Sequence, residues 1–320
     1  MAGIFTEEAS CELCGASAQE EQVATGWDFE YNTTHEEFRF VRCLRCGLIY
    51  LKDRPVPEAM PLIYPPHYYS YSEAERQHGL VGTLRSALEK NKIKVYLKLA
   101  GRERTSVFDI GCGDGRLLDI MRRACPETWE FSGIEISEKA AARAGGKGYR
   151  VIHGDFETQD LSGLGECFDF ALMHQVIEHT RSPRNTLRKA CSLLRPGGVI
   201  SIETPDTRSW DRKLFGKRYW GGYHIPRHFY LFDKGSLCSL LRQEGFEIIS
   251  CRALLSPVFW IHSLHNWLRE KKAKERIISF FHYQNALLLS AAALIDALQI
   301  TLSGTSSNMQ ILARKVGTAW

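Results

Sequence analysis

The sequence predicts an α/β protein: a mostly parallel sheet standing behind a small N-terminal four-cysteine module. Three observations predict it. Short apolar runs alternate with helical spacing from about residue 83 onward, the pattern of strands joined by crossover helices. Three of those runs lead into an acid, at the end of the strand where open α/β sheets bind ligands. Two Cys-x-x-Cys pairs, Cys11/Cys14 and Cys43/Cys46, precede the first run.

The 320 residues exceed what one compact core usually holds. The expected division is a zinc-binding module (1–53), a Pro/Tyr-rich connector (54–82), a core (83–254), a helical insertion (255–305), and the last core strand with a tail (306–320). A composition of 44% hydrophobic and 24% charged residues excludes a disordered or fibrous chain. The net charge of +4 is small for this length, so no nucleic-acid partner is expected. The opening Met-Ala-Gly-Ile-Phe-Thr-Glu-Glu lacks a basic region followed by an apolar core, so no secretion signal is expected. Ten cysteines then imply a reducing, cytoplasmic compartment, where thiols bind metal or lie buried.

Each Cys-x-x-Cys turn sets two thiolates beside one tetrahedral ion, and two turns complete four ligands. Gly15 and Gly47 follow the second cysteine of each pair, where a knuckle needs positive φ. Zinc is the expected ion, with iron as the alternative, and four thiolates leave no open position for chemistry. The metal is therefore structural. His35 lies between the pairs and is not needed as a ligand.

The connector, from Arg54-Pro55-Val56-Pro57 to Tyr64-Pro65-Pro66-His67-Tyr68-Tyr69, is too proline-dense for regular structure. Its tyrosines either rim the next domain's site or pin the linker. Leu84, Leu88, Val95 and Leu99 then mark an amphipathic helix. The first core strand, Ser106 to Ile110, runs into Gly111-Cys112-Gly113-Asp114-Gly115 and a helix over 116–123. A strand, a Gly-rich turn and a helix make a nucleoside-binding crossover, because glycines admit a ligand where a Cβ would clash.

The acids narrow the ligand. Asp109, two residues before that turn, would repel a pyrophosphate but suits the cationic sulfonium and amino group of S-adenosylmethionine. Glu135, ending the run from Phe131, is placed to take both ribose hydroxyls, with Ile136 beside it. Asp155, after Val151-Ile152-His153-Gly154, is placed to accept the adenine amino group, with Phe156 over the ring.

Asp109-Ile-Gly111-Cys112-Gly113-Asp-Gly115, Glu135, Gly154-Asp155 and Leu194-Arg-Pro-Gly-Gly198 resemble the motifs of class I S-adenosylmethionine-dependent methyltransferases. The resemblance covers about 84–254 and a last strand over 309–314. It implies a Rossmann-like, seven-stranded, mostly parallel sheet with an antiparallel last strand. The cysteine pairs and Tyr64-Pro-Pro-His-Tyr-Tyr69 resemble the zinc-binding extension of sugar C-methyltransferases. The core also resembles ubiquinone-pathway O-methyltransferases. The resemblance implies that His174 and Gln175, at the end of the fourth strand (168–173), flank the cofactor, and that Glu178-His179 face the acceptor.

Histidine is the side chain most easily poised as a base near neutral pH, which makes His179 the first base candidate. Its alternative role is to hold the loop over 180–183. The second candidate region is Trp220-Gly-Gly-Tyr-His224-Ile-Pro-Arg227-His228-Phe229, after the fifth strand (199–203). A Gly-hinged loop of this kind can close a pocket and supply a base or an anion clamp, with His224, Arg227 and His228 as the groups. The alternative is a packed turn with Arg227 paired to an acid.

About fifty residues separate the sixth strand (246–249) from the last, too long for an unstructured loop. A helix over 286–302 would align Leu287, Ala291, Leu294, Leu298 and Leu302. The insertion is read as a lid, a homodimer interface, or a peripheral membrane contact through 260–303. The expected activity is methyl transfer to oxygen or carbon of a small or carrier- or lipid-linked metabolite such as a sugar, polysaccharide precursor or secondary metabolite. An RNA methyltransferase, a non-catalytic binding protein and a dinucleotide oxidoreductase are the rivals.

Overall fold

The computed structural model describes residues 4–16, 19–65, 80–101, 103–281 and 285–317, without the side chains of 80–88 and 90. Pro66, His67, Tyr68, Tyr69 and Tyr283, and the side chains of Leu84 and Leu88, therefore lie outside the described residues.

The N-terminal module is built from short strands. β1 (Thr6–Glu8) pairs antiparallel with β5 (Asp53–Pro55), while β2 (Glu20–Gly26), β3 (Phe38–Cys43) and β4 (Ile49–Leu51) form an antiparallel meander. The module does not close on itself. The edge of β4 is completed by Tyr230–Leu231, from far along the chain, and the Leu51 N–H donates to the Phe229 carbonyl. Phe40 packs against Tyr223 with ring centroids 4.7 Å apart, and Tyr50 against Tyr230 at 6.2 Å. A four-stranded sheet this small buries too little alone; sharing strands and rings with the core supplies the rest. Contrary to the expectation of no regular structure, the connector begins with β5 and a short helix, α1 (Met60–Ile63), which accepts proline in its first turn and whose Ile63 is fully buried.

After α2 (Leu80–Ala100) comes the main sheet: β6 (Ser106–Ile110), β7 (Glu130–Glu135), β8 (Arg150–His153), β9 (Phe168–His174) and β10 (Leu194–Pro205). Later elements are β11 (Tyr230–Leu231), β12 (Phe246–Leu254) and β13 (Asn308–Lys315). The seven-stranded order is β12-β13-β10-β9-β6-β7-β8. β6 to β10 pair in parallel, and β13 runs antiparallel to both β10 and β12. The expected α/β, mostly parallel, seven-stranded fold is present.

Central strands are buried on both faces, as parallel sheets require, and alternate residues go to different layers. Val107, Phe170, Leu172 and Val199 pack with Ile93 and Tyr96 of α2 and Met121 of α3 (Arg116–Ala124). Phe108, Ala171, Met173, Ile200 and Ile202 share the opposite cluster with α5 (Pro183–Leu193), α7 (Lys234–Gln243) and the N-terminal module. On the periphery, α4 (Glu138–Gly146) is N-capped by Ser137, and α6 (Trp210–Phe215) follows β10. The parallel register brings the carboxyl ends of β6, β7, β9 and β10 to one edge: Asp109 opposite Gly133 and Leu172, Glu203 opposite His174.

The insertion is helical: α8 (Val258–Glu270), α9 (Glu275–Phe280) and α10 (Ala286–Ser303). Asp296 of α10 accepts from the Ser256 N–H at 2.6 Å and from Trp260 Nε1 at 2.9 Å, fastening α10 to the start of α8.

A candidate cofactor and acceptor site

The cofactor half forms where β6 and β7 end. Gly111 has φ +75°, and a Cβ there would stand 2.6 Å from Val176 Cγ2, so no other residue fits the turn. Glu135 is nearly buried; its two oxygens accept from the Gly113 N–H at 2.9 Å and the Ser137 N–H at 2.8 Å, which fixes the turn against the end of β7. Asp109 is 3% exposed, and burial, then the nearby Glu135 charge, push its carboxyl up to about 8. Burial also raises Glu135 against the pull of its N–H donors. Two acids held together out of water either keep a proton on one of them or are neutralised by a cation.

The remaining cofactor candidates are distributed around this pair. Cys112 is buried in the turn and Gly115 starts α3, while Ile136 is 60% exposed. Asp155 lies two residues past the end of β8, in a turn where its Oδ1 accepts from the Glu157 N–H at 2.9 Å. The strand is shorter than the sequence reading, which ran it into Asp155. Phe156 is buried, with the Lys189 ammonium 5.2 Å from its ring centre. His174 Nε2 lies 3.1 Å from Ser201 Oγ and 3.6 Å from Glu203, and burial lowers its pKa. Gln175, at φ +56°, donates to Asn308 Oδ1 at 3.1 Å.

Three histidines converge on the acceptor side. The His179 ring centre is 4.5 Å from His228 and 6.0 Å from His224, and His224 is 5.0 Å from His228. His228 Nδ1 lies 2.8 Å from the Gly222 carbonyl, and His179 Nδ1 3.1 Å from the Arg227 carbonyl and 3.2 Å from Tyr64 Oη. A carbonyl only accepts, so both Nδ1 atoms carry hydrogen and both Nε2 atoms present lone pairs. Burial, then His224, holds His179 down to about 3; burial and the neighbouring histidines also depress His228 well below its ordinary value. Beneath them Glu178 is fully buried; one oxygen accepts from Thr204 Oγ1 at 3.0 Å and the other, Oε1, has no partner. Burial pushes this carboxyl up to about 8. Ligand atoms of Glu178, His179 and His228 lie within 4.8 Å of one another, close enough to share a metal ion.

His224 differs from its neighbours. It sits in the left-handed region (φ 39°, ψ 49°), which is uncommon for a residue with a side chain, and its Nδ1 meets the Glu30 carboxylate at 2.5 Å. Burial alone would raise Glu30; His224, His262 and Arg227 outweigh it and hold the carboxyl far below its ordinary range. Arg227 is 0% exposed and joins Asp28 through both terminal nitrogens, at 3.1 and 2.8 Å, while its Nε donates to the Ile63 carbonyl at 2.7 Å. Its guanidinium stands 4.5 Å from the Tyr31 ring centre. Of the two readings of Arg227, the geometry is that of the paired, scaffold-bound one.

Glu30, Asp28, Tyr31 and His262 were missed in the sequence. The only signal for the first three was the interleaving of acids and aromatics in Trp27-Asp28-Phe29-Glu30-Tyr31. His262 is brought in by α8: a Cβ on Gly221 would come within 2.6 Å of His262 Cβ, so the insertion packs directly on the histidine loop.

At the other end of the module, the Sγ atoms of Cys11 and Cys46 are 3.3 Å apart, Cys14 and Cys43 3.5 Å, and Cys11 and Cys14 3.7 Å. An ion with bonds of about 2.3 Å to four sulfurs has tetrahedral edges of ~3.8 Å, so the cluster fits one ion. Gly15 and Gly47 take φ of +69° and +80°, and their N–H groups donate to the Cys11 and Cys43 carbonyls.

The sequence matches the methyltransferase-domain family over residues 84–251. It is 28% identical over 166 residues to a ubiquinone biosynthesis O-methyltransferase of Ruegeria pomeroyi, a match covering 49% of this chain and 66% of that protein. To the Bordetella avium protein of the same description it is 26% identical, covering 56% of this chain and 78% of the other. The match thus spans about two thirds of the first relative's length. Among solved structures, an S-adenosylmethionine-dependent methyltransferase from Archaeoglobus fulgidus superposes with a TM-score of 0.46 at 21% identity, over 72% of this chain and 94% of that one.

Proposed function

The chain belongs to the class I S-adenosylmethionine-dependent methyltransferases, its family match running over more than half its length, and from that premise we propose methyl transfer to an oxygen or carbon of a small, carrier- or lipid-linked metabolite. The observation that carries this reading is the adjacency of two unlike half-sites. Buried Asp109 and Glu135 end the strands on one side of the turn at Gly111, and Val176, against Gly111, begins the segment bearing His179. The fit of the cofactor rests on that acid pair, whose mutual charge a sulfonium and an ammonium would neutralise.

S-adenosylmethionine supplies an electrophilic methyl group, and the chain's own groups position the acceptor and take its proton. Asp109 and the N–H-anchored Glu135 hold the cationic and ribose parts. His224 is the base: Glu30 orients its Nδ1–H and stabilises the imidazolium formed when Nε2 accepts the proton, as a carboxylate does for a catalytic histidine. His179, held down to about 3, is too weak a base for that step, and with Tyr64 it packs beside His224. α8, packed on the loop at Gly221, helps exclude water. Zinc on Cys11, Cys14, Cys43 and Cys46 is structural, stiffening the module that carries Glu30.

A second reading gives Glu178, His179 and His228 a divalent cation that binds the acceptor oxygen; the unpartnered Glu178 Oε1 favours it. The deciding experiment titrates zinc-replete protein, and its Asp109→Ala and Glu135→Ala forms, with S-adenosylmethionine by calorimetry. It then follows transfer of a labelled methyl group into small-molecule and lipid extracts with and without added divalent ions. Micromolar binding lost in both variants, with label transferred, supports the reading. Absence of binding to the intact protein overturns it, and transfer that needs added divalent ion after chelation selects the metal-assisted form.

A further inference from the structure

We propose that the outward face of α10, together with the cationic turn before it, docks the protein on an anionic lipid surface. The helix is inverted relative to a surface helix of an isolated protein. Its polar side chains Asp296 and Gln299 are fully buried, bonded to Ser256, Trp260 and Thr305. Its outward residues include Leu287 (80% exposed), Leu294 (74%), Ile295, Leu298 and Leu302 (67%), and none of the exposed residues of the helix is charged. A helix normally turns its apolar stripe inward. A contiguous apolar face of this kind marks contact with another apolar phase.

The helix has the length and composition of a membrane span, but its inward side sets Asp296 and Gln299 among the buried Leu289 and Ala292. Spanning would tear Asp296 from its two donors and set a carboxylate in hydrocarbon, which is strongly unfavourable. The helix therefore lies along the surface, with its polar side on the protein.

Charge selects the surface. Across the turn after α8 and the first residues of α9 the chain exposes Lys271, Lys272, Lys274 and Arg276 against the single exposed acid Glu275, and none of the four cations forms an ion pair among the described residues. Ile277 and Phe280 of α9, also exposed, follow directly, and Asn285 at the start of α10 donates to the Phe280 carbonyl. Lysines beside exposed apolar side chains are the recognition chemistry of anionic headgroups over acyl chains. A second copy of the chain is the weaker occupant. One outward helix face, about 27 Å long and roughly 10 Å wide, buries on the order of 600 Å² in a pair, below the ~1,200 Å² of stable interfaces. It would also bring four cations per chain toward their symmetry mates. This docking surface stands whatever the methyl acceptor is.

The test is co-sedimentation of the full chain with phosphatidylcholine vesicles containing one quarter phosphatidylglycerol, and with phosphatidylcholine alone, with light scattering run in parallel. The expected result is a monomer that partitions to the anionic vesicles roughly tenfold more strongly or better. Leu294→Glu/Leu298→Glu should abolish binding to both vesicle types. Lys271→Glu/Lys272→Glu/Lys274→Glu should remove the anionic preference alone. Both variants should melt within a few degrees of the parent, because the changed side chains touch solvent. No sedimentation of the parent, binding unchanged in both variants, or a dimer dissociated by Leu294→Glu/Leu298→Glu would each overturn the proposal, the last assigning the face to self-association.

Discussion

Glu30 in the N-terminal module and His224 in the loop after β10 meet at 2.5 Å, carboxylate to Nδ1, across 194 positions of sequence. On the proposed reading, the module is thereby part of the acceptor site as well as the carrier of four thiols placed to share one ion. If His224 is the base, His224→Ala should lower kcat by roughly 10²–10³ once an acceptor is in hand. Glu30→Gln should lower it by about tenfold, because the carboxylate no longer orients Nδ1–H or stabilises the imidazolium formed in the step. KM should change less than kcat. An unchanged kcat in Glu30→Gln would leave Glu30 a scaffold residue.

If Asp109 holds the cationic end of the cofactor, it should make cofactor binding pH-dependent. In the free protein its carboxyl titrates near 8, raised by burial and by Glu135, and is protonated at neutral pH. A cationic ligand favours the ionised form, so binding at pH 7 must expel a proton, and affinity should climb with pH up to about 8 and then level. Calorimetry at pH 7 in two buffers of different ionisation enthalpy should detect this proton release. Asp109→Asn should abolish the release and weaken binding about tenfold or more; equal heats in both buffers with the parent protein would sink the idea.

Metal analysis should find one zinc per chain, lost in Cys43→Ser. Because β4 pairs with Tyr230–Leu231 just past His228, stripping zinc should loosen the acceptor loop while the edge at Asp109 stays intact. Methyl transfer should fall at least tenfold with S-adenosylmethionine affinity held within a few-fold. A parallel loss of affinity would mean that the module supports the whole fold.

Asp28 and Arg227, each 0% exposed, form a buried pair, and removing one member strands a charge. Asp28→Asn and Arg227→Met should each cost about 3–5 kcal/mol in denaturant unfolding. Asp28→Asn/Arg227→Met should cost less than the sum of the two. Simple additivity would show that the residues act separately.

Much of the cofactor half was legible in the sequence because it is local. Gly111, Gly113 and Gly115 sit within one turn, Asp109 is two residues before it, and Glu135 ends the next strand; spacing alone brings such groups to one edge of a parallel sheet. The cysteine knuckles are legible for the same reason, each being one turn long. Arg227 could be nominated but not assigned, since its type suits an anion clamp and a buried pair equally, and only Asp28 decides. Glu30 and His262 carried no motif at all.

By itself, the sequence determined the strand-and-helix alternation, the acid-tipped strand ends, the two thiolate pairs and the helical character of the insertion. These follow from periodicity, turn chemistry and ligand spacing, which act over a few residues. Only the tertiary structure decided which histidine has a carboxylate behind it, that Arg227 pairs with Asp28, that the module borrows Tyr230–Leu231 as its edge strand, and that α10 turns several of its leucines outward. The physical reason is that each of these depends on a partner more than thirty residues away. A helix's apolar stripe shows that something must cover it, while its direction is fixed by where the polar groups on the other side find their bonds, here Asp296 with Ser256 and Trp260.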